Sequence, residues 1–445
     1  MPNLLRRLRP YRCRPGRGSQ RSGSHEARHL RETVTTPRHI PRRSSVGFVE
    51  DAALIRDDLV ALRRRIHQEP ELGLHLPKTQ AAVLEALDGL PLEITTGTRL
   101  SSVVAILRGD NQEAPGPTVL LRGDMDALPV MEKSGEPFAS TTGTMHACGH
   151  DLHVAGLVGA ARLLAAKKHE LPGNVVFMFQ PGEEGPGGAL PMIEEGVLDA
   201  AGTPVDAAFG IHVSGLYDKG LFLTKPGPAW AGANILRVTV HGRSGHGSSP
   251  WMSLDPVPVA AEIVTALQSY VTRRHDVFDP VVITVGQFHA GTAPNIIPAT
   301  AELAATVRTL SQATVEQLSA ELPRLIHGIA AAHGATADVD FQPDYPVTVN
   351  DPDMWHYAKT LLAHTFGPDR VQQRDNPIMG AEDFSYILER VPGCHILLGA
   401  RPDDVPAETA PSNHSAVVRF DDSILGDQAA ALATLASQTL AGRAG

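Results

Sequence analysis

The sequence predicts an α/β domain interrupted by an inserted ferredoxin-like α+β domain, and three observations carry that prediction. At 445 residues the chain exceeds what one hydrophobic core usually serves. Apolar strands alternate with amphipathic helices on both flanks, and polar residues gather where the strands end. Between residues 232 and 346 the order changes to β-α-β-β-α-β, the split motif of ferredoxin-like folds.

In chain order, residues 1–45 are rich in Arg, Ser, Gly and Pro and lack apolar periodicity, so they are expected to be a disordered extension. A transit peptide or a nucleic-acid tail has a similar composition. From residue 49, Ala53, Leu54, Leu59, Leu62 and Ile66 recur at helical spacing, and a second amphipathic helix follows over 79–90. Strands are expected at 102–108 and 118–122, a helix at 152–168, and strands at 174–180 and 207–213. The insert reads as strand 233–242, helix 255–274, strands 281–290 and 300–310, helix 314–334 and strand 336–341. A helix at 352–366, a short strand near 395–398 and a final helix from 424 close the chain. The expected partition is therefore 46–231 and 347–445 for the two parts of the α/β domain, with 232–346 between them.

Composition narrows the function. Hydrophobic residues make up 42%, aromatic 5% and charged 20%, with no apolar run long enough to span a membrane. The net charge of −10 is uneven: residues 1–45 carry 12 Arg against Glu26 and Glu32, leaving −20 for the rest. An acidic body argues against nucleic acid as a partner. Cys13, Cys148 and Cys394 are too few and too scattered for a disulfide framework, which suits a reducing cytoplasm.

The densest chemistry lies in Met145-His146-Ala147-Cys148-Gly149-His150-Asp151-Leu152-His153. Alone, the cysteine reads as a small buried hydrophobe and each histidine as a core residue. Together they suggest transition-metal ligation. Cys148 and His150 flank one glycine and reach a common ion only through a tight turn. A competing reading makes Cys148 a nucleophile activated by His150. Glu183 and Glu184 follow a strand and the Pro181-Gly182 turn, so their side chains diverge. One carboxylate can hold metal while the other serves as a base; the plain alternative is an exposed acidic loop. His212 ends an apolar strand where a buried ring needs a partner. His414 is weak by itself.

The strings RRRIHQEPELG, RGDMDALP, MHACGHDLHVAGLVGAA, FQPGEEGPGGA, GIHV, GRSGHGSSP, APNIIPATAEL, MGAEDFSY and SNHS, in this order, resemble the M20 metallopeptidase family. The resemblance is strongest to its amidohydrolase branch of N-acyl-amino-acid, hippurate and auxin-conjugate hydrolases. It runs from about residue 49 to the C-terminus. It implies a zinc-peptidase-like α/β/α catalytic domain with a ferredoxin-like lid. It also implies that Cys148, His150, Glu184, His212 and His414 hold two divalent transition-metal ions (Zn, Mn, Co or Ni), with Glu183 as general base to a metal-bound water. Asp126, Asp151, His146 and His153 become supporting residues around the ligands. Arg122-Gly123-Asp124 stands where related peptidases carry a histidine ligand, so Cys148, His150 and Asp151 all remain candidates to bridge the metals.

By the same resemblance, His246 in the lid points into a catalytic cleft, often that of the other subunit of a homodimer, and helps hold the oxyanion. Asn295 and Arg308 are candidates to grip a substrate carboxylate, Arg by a bidentate pair. Their plain alternatives are a turn residue before Pro298 and a solvated strand residue. The expected function is hydrolysis of the amide of a small N-acyl amino acid. A carboxypeptidase or dipeptidase with the same centre, and a binding protein that has lost its chemistry, are the alternatives.

Overall fold

The computed structural model describes residues 47–111 and 116–443, so the Arg-rich stretch 1–45 lies outside the described residues. The chain enters through α1 (Gly47–Gln68), whose buried Leu59, Leu62 and Ile66 form one helical face, and α2 (Pro77–Leu87), which opens on a proline. Strands β1 (Glu93–Thr96), β2 (Val103–Arg108) and β3 (Thr118–Asp124) lead to α3 (His150–Ala166) and then β4 (Asn174–Gln180). After α4 (Ala189–Glu194) come β5 (Ala207–Asp218), β6 (Phe222–Thr224) and β7 (Gly227–Trp230).

The chain then builds a separate four-stranded sheet. It comprises β8 (Gly232–His241), the two-residue β9 (Gly245–His246), α5 (Pro256–Arg274), β10 (Val282–Ala290), the short β11 (Ile296–Ile297), β12 (Thr300–Thr309), α6 (Gln312–Ala332) and β13 (Thr336–Pro343). The order β10-β12-β8-β13, antiparallel throughout, is the ferredoxin-like arrangement. Asp255 and Ser311 cap the two helices by accepting from the N–H of Val257 and Thr314. Leu236, Val238, Val240, Ile263, Leu303 and Leu322 form a core of their own.

The return runs through β14 (Thr348–Asn350), α7 (Pro352–Phe366), β15 (Val371–Gln373), α8 (Ser385–Leu388), β16 (Gly393–Arg401) and α9 (Leu425–Arg443). β14 pairs with β7, so the outgoing and returning segments form one two-stranded ribbon beside the insert. The main sheet has the order β1-β2-β4-β3-β5-β16-β6-β15, parallel across β4-β3-β5-β16. β3 and β4 are buried on both faces. Val119 and Leu121 face the α1/α3/α9 core, whereas Leu120, Val176 and Met178 face the layer of α4 and α8, as the two-residue period of a strand requires. No helix among the described residues is long and apolar enough to cross a membrane.

The longer elements coincide with those expected from periodicity. Missing from the sequence reading are the short strands β1, β6, β7, β9, β11, β14 and β15, of two to four residues, and the short helices α4 and α8. β5 also runs five residues past Val213, where Gly215 and the polar end Tyr217-Asp218 break the apolar pattern.

Candidate metal centre and active site

The centre forms where β3, β4, β5 and the start of α3 converge, at the C-terminal ends of parallel strands. Gly149 caps α3 in the left-handed region at φ 88°, and a Cβ there would lie 2.4 Å from Val213 Cγ2. Only glycine suits both the conformation and the space, and the turn brings Cys148 and His150 to one pocket. Cys148 Sγ lies 3.4 Å from His212 Nε2. The Nδ1 of His212 is 2.8 Å from the Val213 carbonyl, so it is the protonated nitrogen and leaves the Nε2 lone pair facing the thiol.

Glu183 and Glu184 follow β4, and Asp126 fixes both through their backbone N–H groups at 2.9 and 3.0 Å. Glu184 Oε1 is 3.1 Å from His414 Nε2. Among the described non-glycine residues, only His414 has a positive φ, 71°. Backbone strain of this kind persists where the surroundings over-determine it. Here the His414 N–H donates to Ala147 (2.9 Å), and Asn413 Nδ2 donates to the carbonyls of Cys148 (3.1 Å) and Val213 (3.0 Å).

Two sets of potential ligand atoms result, Cys148-His150-His212 and Cys148-Glu184-His414, each within 4.8 Å and sharing the thiol. A third set joins His150 to Glu183 and Glu184. Both ring nitrogens of His150 are buried without a hydrogen-bond partner among the described residues, which a cation would remedy. Thiol, imidazole and carboxylate together fit borderline transition metals better than Mg²⁺ or Ca²⁺.

A family model described as Peptidase family M20/M25/M40 matches residues 120–438. The chain belongs to the M20 family. It is 39% identical over 391 residues to thermostable carboxypeptidase 2 of Saccharolobus solfataricus, covering 87% of this chain and 96% of that protein. It is 36% identical over 389 residues to IAA-amino acid hydrolase ILR1-like 2 of Arabidopsis thaliana, covering 86% and 85%. Among solved structures it resembles the Bacillus subtilis YXEP protein, a dinuclear metal-binding peptidase of the M20 family. That match has a TM-score of 0.74 at 30% identity and covers 87% of this chain and 99% of that one. The chain is thus an M20 hydrolase of the amidohydrolase branch.

The M20 centre is electrostatically uneven. Burial, then Glu382, Glu184 and Asp383, hold the Glu183 carboxyl well above the usual carboxylate range. Burial draws His150 down, but Asp124, Asp126 and Glu184 outweigh it and push the ring up to about 10, the mark of a pocket built for positive charge. Beneath these groups Arg122 binds Asp124 (2.6 Å), Glu382 (2.9 Å), Asp383 (2.9 Å) and Gln180 (3.0 Å). It thereby ties β3 and β4 to the segment that returns after the insert. Asp124 also pairs with His153, whose other nitrogen accepts the Val213 N–H at 2.8 Å.

A cavity of about 690 Å³ opens on the centre and is lined by Cys148, Glu183, Glu184, His212, His414 and, from the insert, Arg308. His246 and Asn295 lie elsewhere, exposed and side by side where β9 pairs with β11 and the Gly247 N–H meets the Asn295 carbonyl. Asp151 turns away from the ligands: it accepts from Arg63 Nε (2.6 Å) and His67 Nδ1 (2.8 Å). Both contacts use Oδ2 and anchor the start of α3 to α1, whereas Oδ1 is buried without a hydrogen-bond partner among the described residues. His146 is buried with neither nitrogen hydrogen-bonded among the described residues. Arg122, Glu382, Asp383 and Asn413 escaped the sequence reading of the site. Their motifs RGD, AED and SNH were visible, but their partners stand up to 265 residues away.

Proposed function

We propose that the chain is a metal-dependent amidohydrolase that cleaves the amide bond between an acyl group and an amino acid. One observation carries the reading: Glu183 adjoins two ligand sets that share Cys148, in a cavity that Arg308 also lines. Cys148, His150, Glu184, His212 and His414 would hold two ions of Zn, Mn, Co or Ni. When bound, the metals would polarise the scissile carbonyl and acidify a water. Glu183 takes a proton from the attacking water and returns it to the leaving nitrogen as the C–N bond breaks.

Arg308 would pair with the carboxylate of the amino acid, and Asn295 with His246 would complete the grip from a second subunit. Exposed His246, Trp251 and Met252 support a homodimer in which His246 reaches the neighbouring cavity and helps hold the oxyanion. Residues 46–231 and 347–445 would form the catalytic domain, and 232–346 the lid and dimerisation domain. The partner is a small N-acyl amino acid in the cytoplasm, not nucleic acid or membrane.

Glu183→Ala tests the reading. It should keep its metal and lose at least about a hundredfold in turnover; near-normal turnover would remove Glu183 as the base. The relative named a carboxypeptidase favours a second reading, action on short peptides. Faster hydrolysis of dipeptides than of hippurate would select it.

A further inference from the structure

The cavity receives a second arginine that the proposed chemistry leaves without work. Arg374 follows β15 at the edge of the main sheet and is half-buried in the cavity wall. Its guanidinium lies over the ring of Tyr217, 5.6 Å from the centroid. Other arginines of the returning segment hold carboxylates: Arg370 with Asp427, Arg401 with Asp218 and Arg419 with Asp404. Arg374 makes no ion pair among the described residues, and neither does Arg308, whose guanidinium donates to Thr306 and to the Val307 carbonyl. The cavity wall also includes Leu216 and Met379, apolar and exposed, together with Trp230. One cavity therefore offers two guanidinium groups without an ion pair, one from the insert and one from the edge of the main sheet, and its wall also carries apolar side chains.

From this geometry we infer that Arg374 selects substrates carrying a second anionic group besides the carboxylate given to Arg308. The preferred N-acyl amino acid is thus a dianion. The second charge sits either on the acyl arm, as in an N-succinyl amino acid, or on the amino-acid side chain, as in an N-acylglutamate. A planar fork stacked on Tyr217 is preorganised for a carboxylate, and the apolar wall takes the methylenes between the charges. The inference deepens the proposed function and rests on it.

The test uses the full chain loaded with manganese and two nearly isosteric pairs: N-succinyl-alanine with N-succinamyl-alanine, and N-acetylglutamate with N-acetylglutamine. The anionic member of one pair should have a kcat/KM about tenfold higher, carried mainly by KM. The pair showing the preference locates the second charge. Arg374→Met should bring that ratio towards one and Arg374→Lys should keep part of it, with melting temperatures confirming that both variants fold. Equal rates within both pairs, or a preference that survives Arg374→Met, would overturn the inference. If none of the four is hydrolysed, the N-acyl reading itself fails. Glutarate binding, followed through tryptophan emission because Trp230 lines the cavity, then decides the matter: Arg374→Met should weaken it about tenfold, and unchanged binding sinks the inference.

Discussion

The carboxylate of Asp126 accepts the backbone N–H of Glu183 with one oxygen, at 2.9 Å, and that of Glu184 with the other, at 3.0 Å. Two successive peptide groups are thereby fixed by one side chain, which holds the backbone of both glutamates in place. Asp126→Ala should leave the fold intact but let the loop drift, lowering kcat by about 10- to 100-fold with a smaller change in KM. Asp126→Asn, which offers one acceptor oxygen in place of two, should fall between. Steady-state kinetics on both variants check this, and an Asp126→Ala enzyme with wild-type kcat would show that the clamp is dispensable.

The long elements were legible because burial writes itself into periodicity. The split β-α-β-β-α-β order was readable for the same reason: strands such as Thr300–Thr309 alternate and helices such as Gln312–Ala332 keep a 3.6-residue stripe. The ligand types were legible from their density around Cys148 and from the Glu183-Glu184 pair. Arg122 was not, because its partners Glu382 and Asp383 belong to a segment that becomes adjacent only after the chain has built a whole second sheet. Asn413 was hidden similarly: an asparagine before a histidine carries no sign of which carbonyls it will hold. Nor could adjacency to His150 show that one oxygen of Asp151 is taken by Arg63 and His67.

Gly149 should tolerate no side chain. Its φ of 88° costs a residue with a Cβ about 1–2 kcal/mol, and the added atom would sit 2.4 Å from Val213 Cγ2. Gly149→Ala should therefore lower stability by at least about 2 kcal/mol and displace Cys148 from His212, releasing metal. Pairing it with Val213→Ala removes the clash but not the backbone strain, so stability should recover in part. Chemical denaturation with metal analysis reads both effects; a fully stable, metal-loaded Gly149→Ala would contradict the account.

As the proposed base, Glu183 must be ionised to take a proton, and without metal its carboxyl is held well above the usual range by burial and by Glu382, Glu184 and Asp383. Bound metal ions would favour the ionised form, so the acid limb of kcat in the loaded enzyme should lie below the titration of this carboxyl in the metal-free protein. Glu382→Gln removes the largest of the repelling charges, so the acid limb should move to lower pH. A limb that stays in place, or moves up, would mean that another group controls it.

His67 connects the last turn of α1 to two carboxylates, with Nδ1 2.8 Å from Asp151 and Nε2 3.1 Å from Glu132. Burial alone would lower its proton affinity, but Asp151 and Glu132 outweigh burial and raise it above the ordinary histidine value. The folded state therefore binds this proton more tightly than the unfolded chain does. Its contribution is fully present below the unfolded value of about 6.5 and is lost as pH rises through the higher folded value. His67→Gln keeps polar contacts without the charge, so it should cost about 3 kcal/mol near pH 6 and progressively less towards pH 9. Urea unfolding of both proteins across that range measures the gap; a gap constant with pH would mean that His67 is held neutral between its two carboxylates.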